Sequence, residues 1–297
     1  MKEKLVKSVL NRKKKRDDWF LDDYTLNPYE GCSFNCQYCY IRGSKYGANM
    51  DETLAVKINS LEILEKQLAL RAKKGQHGII ALASATDPYL KVEEQYRLTR
   101  GFLELILKYR FPVLIITKSS LVLRDIDLLK EIDRHAVHAP DLASKLKAGA
   151  FISFSFSTLD ENIASTLEPG APSPLVRLET MRRCSDAGLL TGANLIPVLP
   201  FINDSTDQLD LIITGFKNCG AQYVLAGGLT LFGNNPADSK TLYYHFLQRR
   251  FPEFLPAYEK IFRYAFYPPH KYNSDLSERV RLLCEKHGVR NSITGPQ

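Results

Sequence analysis

Apolar residues along this chain fall into short continuous runs that alternate with longer stretches of 3.6-residue periodicity. An extended segment at 24–29 leads into a helix pattern at 53–74. Four strand–helix pairs follow, with strands at 78–83, 112–117, 150–156 and 190–197 and helices at 93–109, 124–134, 173–187 and 205–218. A sixth strand at 223–229 precedes helical patterns near 241–250, 256–264 and 276–287. The strands are apolar throughout rather than alternating, as parallel strands covered by helices are. Repeated strand–helix alternation predicts an α/β fold with a parallel sheet, either a barrel or a doubly wound sheet. No repeat of 20–50 residues and no internal linker marks a second large domain.

Composition changes this picture little. The chain has 297 residues, 44% hydrophobic and 25% charged, a size suited to one α/β barrel with a large core. The longest apolar runs, at 113–116 and 151–156, are far too short to span a bilayer. The charged N-terminus does not read as a secretory signal. These features place the protein in a reducing cytoplasm, where its six cysteines stay thiols unless a metal takes them.

Charge is placed unevenly. Residues 1–16 hold eight Lys or Arg and one Glu, and residues 240–297 hold ten basic and five acidic residues. The total is +7, so 17–239 carries −5 between two basic ends. Basic ends meet phosphate readily, although the run at 12–16 reads first as a solvated tail. The segment 135–141 reads as a surface loop whose two histidines, His135 and His138, are more often inert than metal-binding.

The strongest local signal is Cys32, Cys36 and Cys39, half of all the cysteines within eight residues. A cytosolic cluster of this kind means metal or catalysis. Gly31 before it lets the backbone fold tightly. Structural zinc wants four ligands, usually as two pairs, and no further Cys or His lies near; His77 is the closest histidine in sequence. An electron-transfer cluster also uses four protein ligands. Three thiolates on a four-iron cluster leave one iron open to a substrate or cofactor, so the count favours an open-iron site over a non-enzymatic iron–sulfur or zinc module.

The x3 then x2 spacing is the signature of the radical S-adenosylmethionine (radical SAM) superfamily. The resemblance extends to Asn27, Pro28, Tyr29, Glu30 and Gly31, and to Gln37, Tyr38 and Tyr40. In order along the chain come Thr86-Asp87-Pro88-Tyr89, Thr117-Lys118-Ser119 with Arg124-Asp125, Glu168-Pro169-Gly170 with Arg177, and Ile196-Pro197-Val198. Over roughly 8–290 the chain resembles the spore photoproduct lyase-related, DNA repair photolyase-like group.

That resemblance implies a partial (β/α)6 TIM-like barrel at 24–235, a basic N-terminal extension at 1–23 and a helical C-terminal cap at 236–297. It implies a [4Fe-4S] cluster on Cys32, Cys36 and Cys39 whose open iron is chelated by S-adenosyl-L-methionine. Reductive cleavage would then release a 5′-deoxyadenosyl radical that abstracts hydrogen from substrate, with electrons from a reductase or flavodoxin-type donor. The implied substrate is a nucleic-acid base or lesion, with a protein or small molecule as the alternative; no membrane partner is implied.

Roles carry over residue by residue. Lys118 resembles the lysine that pairs with the cofactor carboxylate, and Ser155 the serine that hydrogen-bonds the cofactor. Ser84, Ala85 and Thr86 stand where the methionyl amine is received, Ile196 where adenine rests, and Tyr38 near the adenine. Tyr40 resembles a radical-relay tyrosine. The lyases place a hydrogen-donor cysteine where this chain has Ser84, a much poorer donor, so the lyase reaction itself is not expected. Most of these positions follow strand ends, where barrel active sites are built. Cys184, Cys219 and Cys284 form no second cluster motif and read as small buried hydrophobes.

Overall fold

The structure is a computed structural model and describes residues 2–44, 47, 54–82 and 85–295. Its strands are β1 (Lys2–Lys4), β2 (Leu10–Arg12), β3 (Tyr24–Leu26), β4 (Tyr29–Glu30), β5 (Ala55–Lys57), β6 (Ile80–Leu82), β7 (Val113–Thr117), β8 (Ala150–Phe156), β9 (Leu190–Val198) and β10 (Tyr223–Gly228). Its α-helices are α1 (Ser60–Lys73), α2 (Glu93–Tyr96), α3 (Leu98–Lys108), α4 (Ile126–His135), α5 (Glu161–Leu167), α6 (Pro174–Asp186), α7 (Thr206–Asn218), α8 (Ser239–Arg250), α9 (Leu255–Ile261) and α10 (His270–Lys286).

The main sheet has the order β10-β9-β8-β7-β6-β3-β2. Six neighbours run parallel, and β2 joins the edge antiparallel to β3. The six parallel strands are the six expected from the apolar runs. Side chains alternate between two faces, as the pleat requires. Val113, Ile115, Ile152, Phe154, Ala193 and Leu195 share one core with α1, α3, α4, α6, α7 and α10. Ala81, Leu114, Phe151 and Leu225 face a second core that includes no helical residue. Helices therefore cover one face only, which is the arrangement of a barrel wall and not of a doubly wound sheet.

The basic N-terminal segment is not a bare tail. β1 pairs with β5 in a small second sheet, and β2 pairs with β3. Within the basic run, Lys13 is ion-paired to Asp22 at 2.8 Å, and Arg16 to Asp23 at 3.0 Å and to Asp141. The loop joining β2 to β3 carries Phe20 and Leu21 into the helix-free core, against residues of β6 and β10. Trp19 lies against Gly227 of β10, so this loop reaches from one edge of the sheet to the other.

Several helix bounds differ from the sequence pattern, each for a local reason. The stretch expected as one helix over 53–74 begins instead with β5, captured by β1 and β4, and residue 53 lies outside the described residues. The helix expected at 93–109 breaks at Arg97, whose φ is 51°. Buried Glu93 accepts hydrogen bonds from the Thr99 and Arg100 amides and so caps α3. The pattern gave no sign of α5, which Asp160 caps through the Asn162 and Ile163 amides. The last helix starts at His270, ahead of the expected 276. It packs with α7 and β10, whereas α8 and α9 build a separate aromatic cluster around Tyr243, Phe246, Tyr258 and Tyr38.

Candidate active site

The cysteine loop leaves β4 through Gly31, whose φ of 81° suits glycine. Its backbone is held from outside. Thr86 donates its hydroxyl proton to the Gly31 carbonyl, the Gln37 amide donates to Leu167 at 2.8 Å, and the Gly170 amide to Phe34 at 3.0 Å. A side chain at 170 would collide with the Ser33 carbonyl, which explains a glycine there. The loop is thus clamped by the turn after β6 on one side and by the segment after α5 on the other.

Cys32, Cys36 and Cys39 all line one cavity of about 490 Å³, within the usual range for small-molecule sites of roughly 300–1,000 Å³. The same cavity is lined by Tyr38, Tyr40, Ala85, Thr86, Lys118, Ser155 and Ile196. Every proposed site residue that the structure describes is therefore brought to one place. Ser84 lies outside the described residues.

Individual geometries refine the expectations. Lys118 follows β7, and Asp87 positions it: this buried carboxylate accepts from the Lys118 amide at 2.8 Å and from Thr117 Oγ1 at 2.8 Å. The Lys118 ammonium is 3.8 Å from Glu168 and 6.0 Å from the centre of the Tyr38 ring. The Tyr38 phenol is turned toward Glu168, to which it donates. Thr86 has spent its hydroxyl proton on Gly31, which leaves its hydroxyl oxygen only as an acceptor toward any ligand. Tyr40 is 52% exposed and lines the cavity beside Cys39. Ser155 on β8 is in register with Asn194 on β9, and Ile196 lies on the same side of β9 two residues further toward the mouth.

Burial pushes all three thiols up, Cys32 to about 11. Free thiolates would be costly here, and metal coordination is what offsets that cost. Among the described residues, no three His, Cys, Asp or Glu side chains gather closely enough to hold a single ion. Zinc needs its ligands to meet at one atom, whereas a cluster takes each thiolate at a separate iron.

The sequence reading missed Asn194. It interrupts an apolar strand, is 3% exposed, and lines the cavity. Its Oδ1 is buried without a partner among the described residues. Buried polar atoms are almost always paired, so this oxygen is a candidate acceptor for a group bound in the cavity. The signal was a polar residue inside the run 190–197. Also unforeseen were Trp19, Phe20 and the Lys13–Asp22 pair, which line the cavity from the β2–β3 loop. Burial raises the Asp22 carboxyl above its ordinary value against the opposing pull of Lys13.

The sequence model of the Radical SAM superfamily matches residues 26–211 of this chain. The chain belongs to the radical SAM superfamily. This radical SAM protein is 30% identical over 270 residues to an uncharacterized protein of Mycobacterium tuberculosis, covering 89% of this chain and 74% of that one. It is 23% identical over 184 residues to a protein of Pseudomonas phage M6 named a radical SAM Nalpha-GlyT isomerase, covering 62% of this chain and 35% of the phage protein. Among solved structures it is similar to spore photoproduct lyase complexed with dinucleoside spore photoproduct. That match has a TM-score of 0.60 at 17% identity and covers 93% of this chain and 78% of the lyase chain, a likeness of fold. Membership in the superfamily marks the protein as an enzyme, and the family implies S-adenosylmethionine and an iron–sulfur cluster. No described helix is long and apolar enough to cross a membrane.

Proposed function

We propose that the protein binds a [4Fe-4S] cluster through Cys32, Cys36 and Cys39 and cleaves S-adenosylmethionine reductively at the mouth of a partial (β/α)6 barrel. The observation that carries this reading is one cavity lined by three thiols, an ammonium, Ser155 and Asn194, whose Oδ1 has no partner among the described residues. When bound and reduced, the cluster and cofactor supply a 5′-deoxyadenosyl radical for hydrogen abstraction.

The chain's own residues bind, orient and shield. Lys118 offers a charge-assisted hydrogen bond to the cofactor carboxylate. Ala85 and Thr86 receive the amine with backbone groups. Ser155 and Asn194, side by side on adjacent strands, give the site a donor and an acceptor beneath the mouth. Ile196 and Trp19, which both pack at Gly227, form an apolar wall that excludes water. Tyr40, beside the last cysteine, is positioned to pass a hydrogen atom.

For the substrate, a nucleic-acid base is the reading the basic ends favour. The solved lyase of similar fold is complexed with a dinucleoside spore photoproduct, which fits the same choice. Radical modification of a protein or small molecule is the alternative. A reductase or flavodoxin-type donor in the cytoplasm would supply the electron.

Anaerobically reconstituted protein should be brown and cleave S-adenosylmethionine to 5′-deoxyadenosine and methionine. Cys36→Ala should lose both the visible absorption and the iron. Full iron and full cleavage in that variant would overturn the assignment. Binding of single-stranded DNA should be strongest at low salt; its absence even there would move the substrate to the alternative.

A further inference from the structure

Glu168 follows α5, away from the cysteine motif in sequence, and is 2% exposed. A buried carboxylate is tolerated only when its charge and lone pairs are matched. Here the match is made by four groups. Tyr38 and the Arg177 guanidinium donate to it, Ser157 Oγ donates at 3.0 Å, and the Lys118 ammonium stands 3.8 Å away. Burial alone would raise this carboxyl, but Lys118, Arg177 and the hydrogen bonds outweigh it and hold it below its ordinary value. Arg177, itself 1% exposed, also donates to the Ser155 carbonyl at 3.0 Å and to Pro172 at 2.7 Å.

One carboxylate therefore joins four parts of the site: the cysteine loop through Tyr38, the end of β7 through Lys118, the end of β8 through Ser157, and Ser155 through Arg177. The flanking residues reinforce the tie, since Leu167 and Gly170 hold the cysteine loop by its backbone at Gln37 and Phe34.

We infer that Glu168 is a positioning residue for the cluster and cofactor: its side chain fixes the loop between Cys36 and Cys39, and its negative charge sets the field of that loop and aims the Lys118 ammonium. This rests on the reading that the three cysteines hold the cluster. Two separable effects follow. The hydrogen bonds are a tether, and the charge is an electrostatic element. A negative charge behind the loop disfavours the reduced, more negative cluster, so removing it moves the reduction potential up. A purely structural knot would not have that effect.

The test uses Glu168→Gln and Glu168→Asp in the full chain. Glu168→Gln keeps the side-chain length and removes the charge; Glu168→Asp keeps the charge and shortens the reach. Reconstituted proteins are titrated with reductant while the reduced cluster is followed by electron paramagnetic resonance. Glu168→Gln should titrate at a more positive potential than wild type, and Glu168→Asp close to wild type. Hydrogen exchange on the metal-free proteins supplies the second measurement, independent of the cluster. Glu168→Asp, which shortens the reach, should exchange faster at the Gln37 amide while α3, α4 and α7 stay protected, and Glu168→Gln, which keeps the reach, should change less. Should Glu168→Gln fail to take up iron, a charge effect separable from the tether is overturned, and Glu168→Asp with the exchange data decides the tether.

A Glu168→Gln cluster at the wild-type potential overturns the electrostatic role. Unchanged exchange at Gln37 in Glu168→Asp, or loss of protection throughout the fold, overturns the tether. If wild-type protein binds no cluster, the parent reading fails instead, and iron analysis of the wild type shows this directly.

Discussion

Replacing Lys118 with alanine removes its ammonium and leaves the backbone there held by Asp87. The side chain is 12% exposed, so its ammonium acts in a poorly screened setting. A hydrogen bond between charged groups contributes about 1.5–3 kcal/mol. Its loss should weaken S-adenosylmethionine binding about ten- to hundredfold. Glu168 makes the effect larger than a lone contact would. With Lys118 gone, that carboxylate would lose the ammonium that screens it from a cofactor carboxylate bound at this site.

Adding Glu168→Gln to Lys118→Ala should therefore recover part of the lost affinity. The coupling should be about 0.5–3 kcal/mol, as for other residues in direct contact. Calorimetric titration of the reconstituted, oxidised proteins with S-adenosylmethionine measures all four corners of the cycle without turnover. An unchanged dissociation constant in Lys118→Ala would remove this residue from the site. Equal constants for the single and double variants would show that Glu168 does not act on the ligand through Lys118.

Further outcomes concern the relay, the hydrogen donor and acid stability. In deuterium oxide the Tyr40 hydroxyl carries deuterium, so Tyr40→Phe should lower the deuterium found by mass spectrometry in 5′-deoxyadenosine made without substrate; unchanged labelling excludes Tyr40 from the relay. Wild-type protein given spore photoproduct dinucleoside should cleave cofactor without clean thymine recovery, since serine stands at 84, and Ser84→Cys should raise the recovery; stoichiometric repair by the wild type would reveal another donor. Burial holds the His138 imidazole below its ordinary value, against the opposing pull of Asp133. The unfolded chain therefore takes up this proton first, and stability falls as pH drops through about 6.5, the unfolded value. Urea midpoints measured from about pH 7 to about pH 5 should show a shallower fall in His138→Phe, and an equal fall in that variant would assign the loss to other groups.

Much of the fold was legible because parallel strands and their covering helices carry distinct periodicities. The six apolar runs are the six parallel strands, and the triplet of cysteines pointed to its chemistry through spacing alone. Helix interruptions were less legible. The break at Arg97 depends on Glu93 capping α3, and the capture of 55–57 into a strand depends on β1, more than fifty residues earlier. Neither partner leaves a periodic trace in the segment it alters.

The candidate site divides along the same line. Cys32, Cys36 and Cys39 could be singled out from their spacing, and Lys118 from its place after a strand together with the family resemblance. That Glu168 ties Tyr38 to Lys118, that Asn194 is left without a partner, and that a basic N-terminal run folds back to wall the cavity with Trp19 were decided by tertiary structure. Hydrogen bonds and burial join residues far apart in the chain, and a carboxylate or an amide acquires its role from what surrounds it in space, which no neighbour in sequence records.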